Sequence, residues 1–276
     1  MRDQLDTLLV DVAGAATRIS ARRATANAPT VLLLPGYPDT LQVFTRVVDA
    51  LDPAWGYIAP DFPGQGGSAA TRAPTFAPEA RAAWLATLLD HLDVPRVRVF
   101  GHDMGAHAAL ELALTHAPRV ERVVVANALL DGAAPCSRTI TLLRWSALYR
   151  VLLPAFPGRV SAQCIRDFLP RTSPLTPPVR ADIEGLFTRA AARTTSRVCD
   201  AAEVWLARGL DRFRDLTMPV TALWGAAEHH FPRGHAEALL RAVPHATLSE
   251  VPDGHHWLAW HSPASVVEGL TTLHQL

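Results

Sequence analysis

At 276 residues the chain suits one α/β core with an insertion, or two small domains, and has room for a sizeable hydrophobic interior. Its 26 basic and 26 acidic residues balance, so no overall field favours nucleic acid or an anionic membrane surface as a partner. Every basic residue is arginine, and the absence of lysine excludes Schiff-base chemistry, an internal pyridoxal phosphate aldimine and a phosphate-loop lysine.

The N-terminal stretch MRDQLDTLLVDVAGAA scatters Asp3, Asp6 and Asp11 around a short apolar run, the wrong pattern for a secretory signal. Two strand-like runs, around 8–12 and 16–22, lead to TVLLLPGYPDT, a buried strand ended by Pro35-Gly36. Next are expected a helix from Thr40 to about Leu51, a strand at YIAP, the glycine-rich loop DFPGQGGSAA, a helix from Pro78 to Leu92 and a strand at RVRVF. That strand runs into GHDMG, residues 101–105, and then a helix ending near His116; RVVVANALL reads as one more buried strand. Strands alternating with helices predict an α/β fold with a mostly parallel sheet covered on both faces.

From Asp131 to Arg214 the pattern changes to helical periodicity with prolines at 154, 157, 170, 174, 177 and 178, and thirteen arginines against seven acids. This segment, 131–214, is read as a helical cap inserted into a core made of residues 1–130 and 215–276. The core resumes with the strand PVTALWG, a helix over about 232–243, the strand ATLSEVP, the loop DGHHW and a closing helix from Pro263. No run approaches the roughly 20 apolar residues of a membrane span. Cys136, Cys164 and Cys199 lie far apart without a CxxC pair, so free thiols and a soluble, cytoplasmic protein are expected.

Polar residues recur at the ends of the core strands: Asp103 after one, Glu228 three residues past Gly225 after another, and His255-His256 after the last. Open α/β sheets bind ligands outside the carboxyl ends of their strands, so these loops should converge. The order nucleophile, acid, histidine fits a hydrolase triad. A carboxylate at a corner built for a hydroxyl has its own chemistry. With an ordinary pKa near 3.9 it is already a nucleophile at neutral pH, feeble toward amides but able to displace a leaving group at strained or activated saturated carbon.

On these residues the chain resembles the epoxide hydrolase and dehalogenase branch of the α/β-hydrolase-fold superfamily. LLLPGYPDT is similar to that branch's His-Gly-x-Pro segment, DFPGQGGS to its D-x-x-G-x-G-x-S loop, and GHDMG to its small-x-Asp-x-small elbow. LWGAAE resembles the acid-bearing G-x-x-D, and VPDGHHWLAWHSP the histidine segment with proline seven residues on. Pro35 for His, Glu228 for Asp and His255 for Gly are the departures. Counting back seven from Pro263 selects His256 as base, with His255 in reserve.

The resemblance implies an alkyl ester on Asp103, hydrolysed by water that His256 activates with Glu228 behind it, and an oxyanion hole from the backbone N–H groups of Tyr37 and Met104. Neither cofactor nor metal is implied, and the expected partner is a small, apolar epoxide or halide. Epoxide opening needs donors on the ring oxygen, which relatives take from two cap tyrosines; Tyr149 is the one tyrosine in this cap. Leu142, Trp145, Tyr149 and Leu152 follow helical spacing and share a face in this reading. Tyr149, Trp145, Trp205 and His102 are therefore the expected substrate contacts, with an indole N–H as second donor, while Trp145 and Trp205 also serve as filler between cap and core.

Halide release commonly uses a tryptophan directly after the nucleophile, where Met104 stands, and haloacetate relatives place arginines just past it, where Ala106 and His107 stand. The epoxide is favoured; a dehalogenase using the same ester and a non-hydrolytic binding or cyclase-type protein are the alternatives. His107 is expected to pack or bond a loop. His229, His230, His235, His255, His256 and His261 lack metal-site spacing, and loop histidines exposed to solvent are the expectation. The glycines at 64, 66 and 67 are expected to shape a turn.

Overall fold

The computed structural model describes residues 1–70, 76–152, 155–186 and 191–272. Eight strands form one sheet in the order β1-β2-β4-β3-β5-β6-β7-β8. They are β1 Leu8–Val12, β2 Ala15–Arg22, β3 Thr30–Leu34, β4 Gly56–Pro60, β5 Val97–His102, β6 Val120–Ala126, β7 Val220–Gly225 and β8 Thr247–Val251. β1 and β2 pair antiparallel, as do β2 and β4, and every other neighbour is parallel.

Alternation along the strands divides the interior in two. On β3, Leu32 and Leu34 face a core with helices α2 (Pro78–His91), α3 (Met104–Thr115) and α9 (Gly234–Ala242). Val31 and Leu33 face the other, with α1 (Thr45–Ala50), α10 (Leu258–His261) and α11 (Pro263–Thr271). Each such fully buried aliphatic side chain contributes roughly 1.5–3 kcal/mol, which is why central strands read as continuous Val/Leu runs.

Three expected elements differ in detail. The segment from Thr40 opens as a 3-10 turn, Leu41–Phe44, capped by the Thr40 hydroxyl, and only then becomes α1. RVVVANALL leaves the sheet at Ala126, and α10 precedes the closing helix. Between β6 and β7 lie α4 (Arg138–Trp145), α5 (Ala147–Leu152), α6 (Pro157–Phe168), α7 (Pro177–Glu184) and α8 (Ala191–Leu206). Pro154 and the side chain of Leu152 fall outside the described residues. The chain breaks helical geometry at Ser146, which is extended, so Leu142 and Trp145 do not share a helix with Tyr149.

Two ionic clusters fasten the inserted helices. The buried Glu111 of α3 accepts the Trp205 indole N–H at 2.7 Å and pairs with Arg212. Arg18 of β2 bonds both oxygens of Asp182 on α7 at 2.6 and 2.9 Å, and Asp61 at 2.5 Å, while Thr40 donates to Asp182 at 2.6 Å. The loop after β4 wraps this cluster: Gly66 has φ +52 and any side chain there would collide with the Asp61 carboxylate. Among the described residues no helix is long and apolar enough to cross a membrane, and the three cysteines are free.

Candidate active site

The strand order turns back on itself at β4-β3-β5, where the connection from β3 leads one way across the sheet and that from β5 the other. The loops after β3 and β5 therefore diverge and open a crevice at the carboxyl edge. Tyr37 follows β3 and Asp103 follows β5.

Asp103 sits at φ 49, ψ −118, outside the basins an L-residue ordinarily fills, at a cost on the order of 1–3 kcal/mol. Its N–H donates to Ala126 O and its C=O accepts from Ala106 N–H, both at 3.1 Å. The turn also needs small neighbours: a Cβ on Gly101 would lie 2.6 Å from Gly105 O, and one on Gly105 would strike the carbonyls of Leu34 and Pro35. The side chain is thereby lifted over the sheet edge, and its Oδ2 accepts the Tyr37 N–H at 2.9 Å.

His256, in the loop between β8 and α10, is buried against Phe168, Phe231 and His230. Its Nδ1 lies 2.7 Å from Glu228 Oε2. Glu228 Oε1 accepts the N–H groups of His230 at 2.5 Å and Phe231 at 3.1 Å. Burial works against that carboxylate, yet the His256 charge and these bonds outweigh it and hold Glu228 at about 2. Burial likewise opposes a charge on His256, and Glu228 overcomes it, so His256 is raised above its usual value. Burial raises Asp103, with His256 and His102 pulling it back, which places the Asp103 and His256 side chains within mutual electrostatic reach.

Asp103 lines a cavity of about 310 Å³ with mostly apolar walls. Tyr37, Pro38, Met104 and Phe231 come from the core; Leu143, Tyr149, Val160, Phe168 and Val198 come from the inserted helices. The Tyr37 phenol crosses this space to the Thr195 hydroxyl of α8 at 2.7 Å. Burial pushes that phenol up to about 12, so it holds its proton. Cys164 and Cys199 line the same cavity, raised by burial to about 12 and about 11. Arg144 also reaches its wall, but both Glu203 oxygens hold the guanidinium at 2.6 and 3.2 Å.

The expected residues thus separate. Asp103, Tyr37, Met104 and Tyr149 line the cavity, with His256 near Asp103 and Glu228 behind His256. Trp145 does not: the break at Ser146 leaves it 69% exposed. Trp205 is buried, stacked on His107 at 4.0 Å with its indole bonded to Glu111, away from the cavity lining. His102 also stands behind the wall, its ring nitrogens bonded to Asp39 and to the His256 carbonyl. His255 turns edge-on to His261 at 5.8 Å and leaves Glu228 to its neighbour.

The expectation of exposed histidines fails for His256, described above, and for His230 and His235, which are also buried: His230 bonds Ser137 at 2.9 Å, and His235 accepts from the Leu130 and Asp131 N–H groups. His107 donates to Leu129 O at 2.5 Å, burial having pushed it down to about 4. No group of three or more His, Cys, Asp or Glu among the described residues is arranged to hold a metal ion.

Two residues escaped sequence reasoning. Asn127, directly after β6, donates to the carbonyls of His255 and His256 and accepts the Gly225 N–H, tying three strand ends together. Asp39 accepts from the Gly36 N–H and the Trp257 indole and bonds His102, joining three further positions. The usable signal was the one that found Asp103, a polar side chain at the carboxyl end of a buried strand.

The family described as alpha/beta hydrolase fold matches residues 29–177, more than half of the chain. A 2-hydroxy-6-oxononadienedioate/2-hydroxy-6-oxononatrienedioate hydrolase of Cupriavidus pinatubonensis is 27% identical over 88% of this chain and 86% of its own. A pimeloyl-[acyl-carrier protein] methyl ester esterase of Vibrio vulnificus is 27% identical over 78% and 82%. Among solved structures, Cfl2 of Burkholderia cenocepacia superposes with a TM-score of 0.78 at 22% identity, covering 96% of this chain and 94% of that one. The epoxide hydrolase CorEH gives 0.70 at 20% identity over 95% and 96%. With the sheet order, the strand-end elbow and this match in agreement, the chain belongs to the α/β-hydrolase-fold family and is a hydrolase of that fold.

Proposed function

We propose that the chain is an epoxide hydrolase acting through a covalent ester on Asp103, with the inserted helices serving as its cap. The observation that carries this reading is a carboxylate on the elbow, facing a largely apolar cavity, with one oxygen on a backbone N–H and a buried His256–Glu228 pair beside it. Oδ1 attacks an epoxide carbon, the ring C–O bond breaks, and the ring oxygen takes a proton. Two phenols border the cavity to supply it, Tyr149 from the cap and Tyr37 from the core. Tyr37 replaces the indole donor expected from Trp145 or Trp205.

In the second step neutral His256 removes a proton from water, whose oxygen attacks the ester carbon. The oxyanion forms at the position now held by the Tyr37 N–H, with the Met104 N–H as second donor; such donors are worth about 3–4 kcal/mol each in well-studied hydrolases. Collapse expels the alkoxide, which takes the proton held by His256 and leaves as a vicinal diol; the acid proton left on Asp103 returns to the phenolate, restoring both the carboxylate and the tyrosine. Glu228 keeps His256 in the tautomer with its proton on Nδ1, which leaves Nε2 to act as base.

The mostly apolar walls support a neutral substrate: of the two arginines in the lining, Arg144 is held by Glu203, and Arg159 shares the lining with the acidic Asp167. The pimeloyl ester esterase among the relatives keeps ester hydrolysis in view, but an Asp nucleophile would pass through an anhydride there. His256→Gln decides among these readings. Exposed to a panel of epoxides, it should accumulate an Asp103 adduct visible by mass spectrometry. Adducts from haloalkanes alone would assign a dehalogenase, and no adduct from any electrophile would leave a binding protein.

A further inference from the structure

Behind the cavity, on the side away from substrate, four polar groups are packed with almost no solvent contact. His102 is 1% exposed, Asp39 2%, Trp257 1% and Asn127 0%. His102 Nδ1 lies 3.0 Å from Asp39 Oδ2, and Nε2 lies 2.9 Å from the His256 carbonyl oxygen. Asp39 Oδ1 accepts the Trp257 indole N–H at 2.7 Å, and Oδ2 also accepts the Gly36 N–H at 3.2 Å.

Donor and acceptor counting leaves little freedom in this cluster. A carbonyl oxygen only accepts, so Nε2 carries a proton. Both Asp39 oxygens are already accepting N–H donors, which suits the ionised carboxylate, and an ionised carboxylate only accepts, so Nδ1 carries a proton as well. A neutral imidazole has one N–H and would leave one of these buried contacts as two facing acceptors.

We propose that His102 and Asp39 form a buried imidazolium–carboxylate pair that positions both halves of the hydrolytic machinery, the Tyr37 N–H and the His256 ring. The connections run through backbone. Asp39 grips the Gly36 N–H, one residue before the oxyanion donor Tyr37, and grips the Trp257 side chain, one residue after His256. His102 directly precedes Asp103 in the chain and holds the carbonyl of His256, which Asn127 also holds at 3.0 Å. Three loops from three strand ends are thereby set against one charge pair, which is buried and outside the cavity lining. The charged groups facing His102 are Asp39, Asp103 and His256, whose ring centre is 4.7 Å away. Because the two charges of the pair offset each other, the pair fixes geometry while adding no net charge beside Asp103.

Histidine ¹⁵N NMR on the whole chain at neutral pH tests the charge state, with the His102 signals identified by their loss in His102→Gln. Both His102 ring nitrogens should be protonated in the unsubstituted protein. In Asp39→Asn, whose amide can donate to Nδ1, one nitrogen should lose its proton. An unprotonated ring nitrogen on His102 in the unsubstituted protein would overturn the pair, so this arm is decided even if Asp39→Asn does not fold.

The positioning role rests on the Asp103 ester reading, and single-turnover kinetics tests it. Asp39→Asn or His102→Gln should slow hydrolysis of the ester about tenfold or more, change its formation far less, and so make the alkyl-enzyme accumulate. Equal slowing of both steps, or of neither, would overturn it. Absence of any adduct in His256→Gln would instead defeat the ester reading and the positioning role with it, leaving the charge pair to stand or fall by its spectrum.

Discussion

The sheet edge and the inserted helices meet at one cavity but are built on different principles. At the sheet edge each polar group is fixed by backbone: Asp103 by a strained turn and the Tyr37 N–H, Glu228 by two N–H donors, His256 by Glu228 and the grip on its carbonyl. The inserted helices contribute mostly apolar walls, and their ties to the core include the Glu111–Arg212–Trp205 and Arg18–Asp182–Thr40 clusters. Reactive atoms need placement to within fractions of an ångström, which strand ends provide. An apolar wall needs only shape, which helices can change without disturbing the chemistry beneath.

That contrast can be broken at its strongest point first. Asp103→Ala should lower epoxide turnover by roughly 10³-fold or more while leaving the melting temperature unchanged or raised, since a carboxylate that burial disfavours is removed while the backbone turn stays as it is. Steady-state assay beside calorimetry checks both halves.

Glu228→Gln should cost on the order of 10²-fold, and its signature is in the pH profile. His256 must be neutral to act as base, and Glu228 raises it, so ester hydrolysis falls as pH drops through that raised value. Without the Glu228 charge the acid limb should move to lower pH as the plateau drops.

Tyr37→Phe keeps the backbone N–H and removes the phenol that reaches Thr195. With Tyr149 still present, about a tenfold loss in Asp103 alkylation is expected, seen with epoxides and absent with alkyl halides, whose leaving group needs no proton. Equal loss for both substrates would mean that the ring serves only as wall.

Glu111→Gln addresses the fastening. It leaves Arg212 without its acid partner in a buried place and should destabilise the fold by about 3 kcal/mol, lowering the melting point by roughly 6–12 °C. The smallest effect belongs to Trp145→Ala: its side chain is mostly solvated, so stability should shift by no more than about 0.5 kcal/mol and turnover should hold.

The division between the two regions also marks what the sequence could disclose. Buried parallel strands announce themselves as Val/Leu runs, and loops at their carboxyl ends converge by topology, so Asp103, Glu228 and His256 were readable from local spacing. The walls were not. Helical spacing predicted that Trp145 and Tyr149 share a face, but extended backbone at Ser146 divides them. Trp205 was singled out for its indole, whose partner Glu111 lies 94 positions away in the chain. His230 and His235 looked like loop residues because their burial depends on contacts with Ser137, Leu130 and Asp131, about a hundred positions away. Tyr37 was credited only with its backbone, since nothing local reveals that its ring spans to α8.

The two thiols in the cavity wall acquire a meaning from the proposed chemistry. A catalyst whose substrates are alkylating agents has to spare its own softer nucleophiles, and sulfur anions react with such compounds far more readily than carboxylates do. Cys164 and Cys199 border the same space as Asp103, but their apolar surroundings keep them in the protonated, sluggish form. The wall that gathers an electrophile thus also silences the bystanders, so that the harder oxygen on the elbow is the one that reacts.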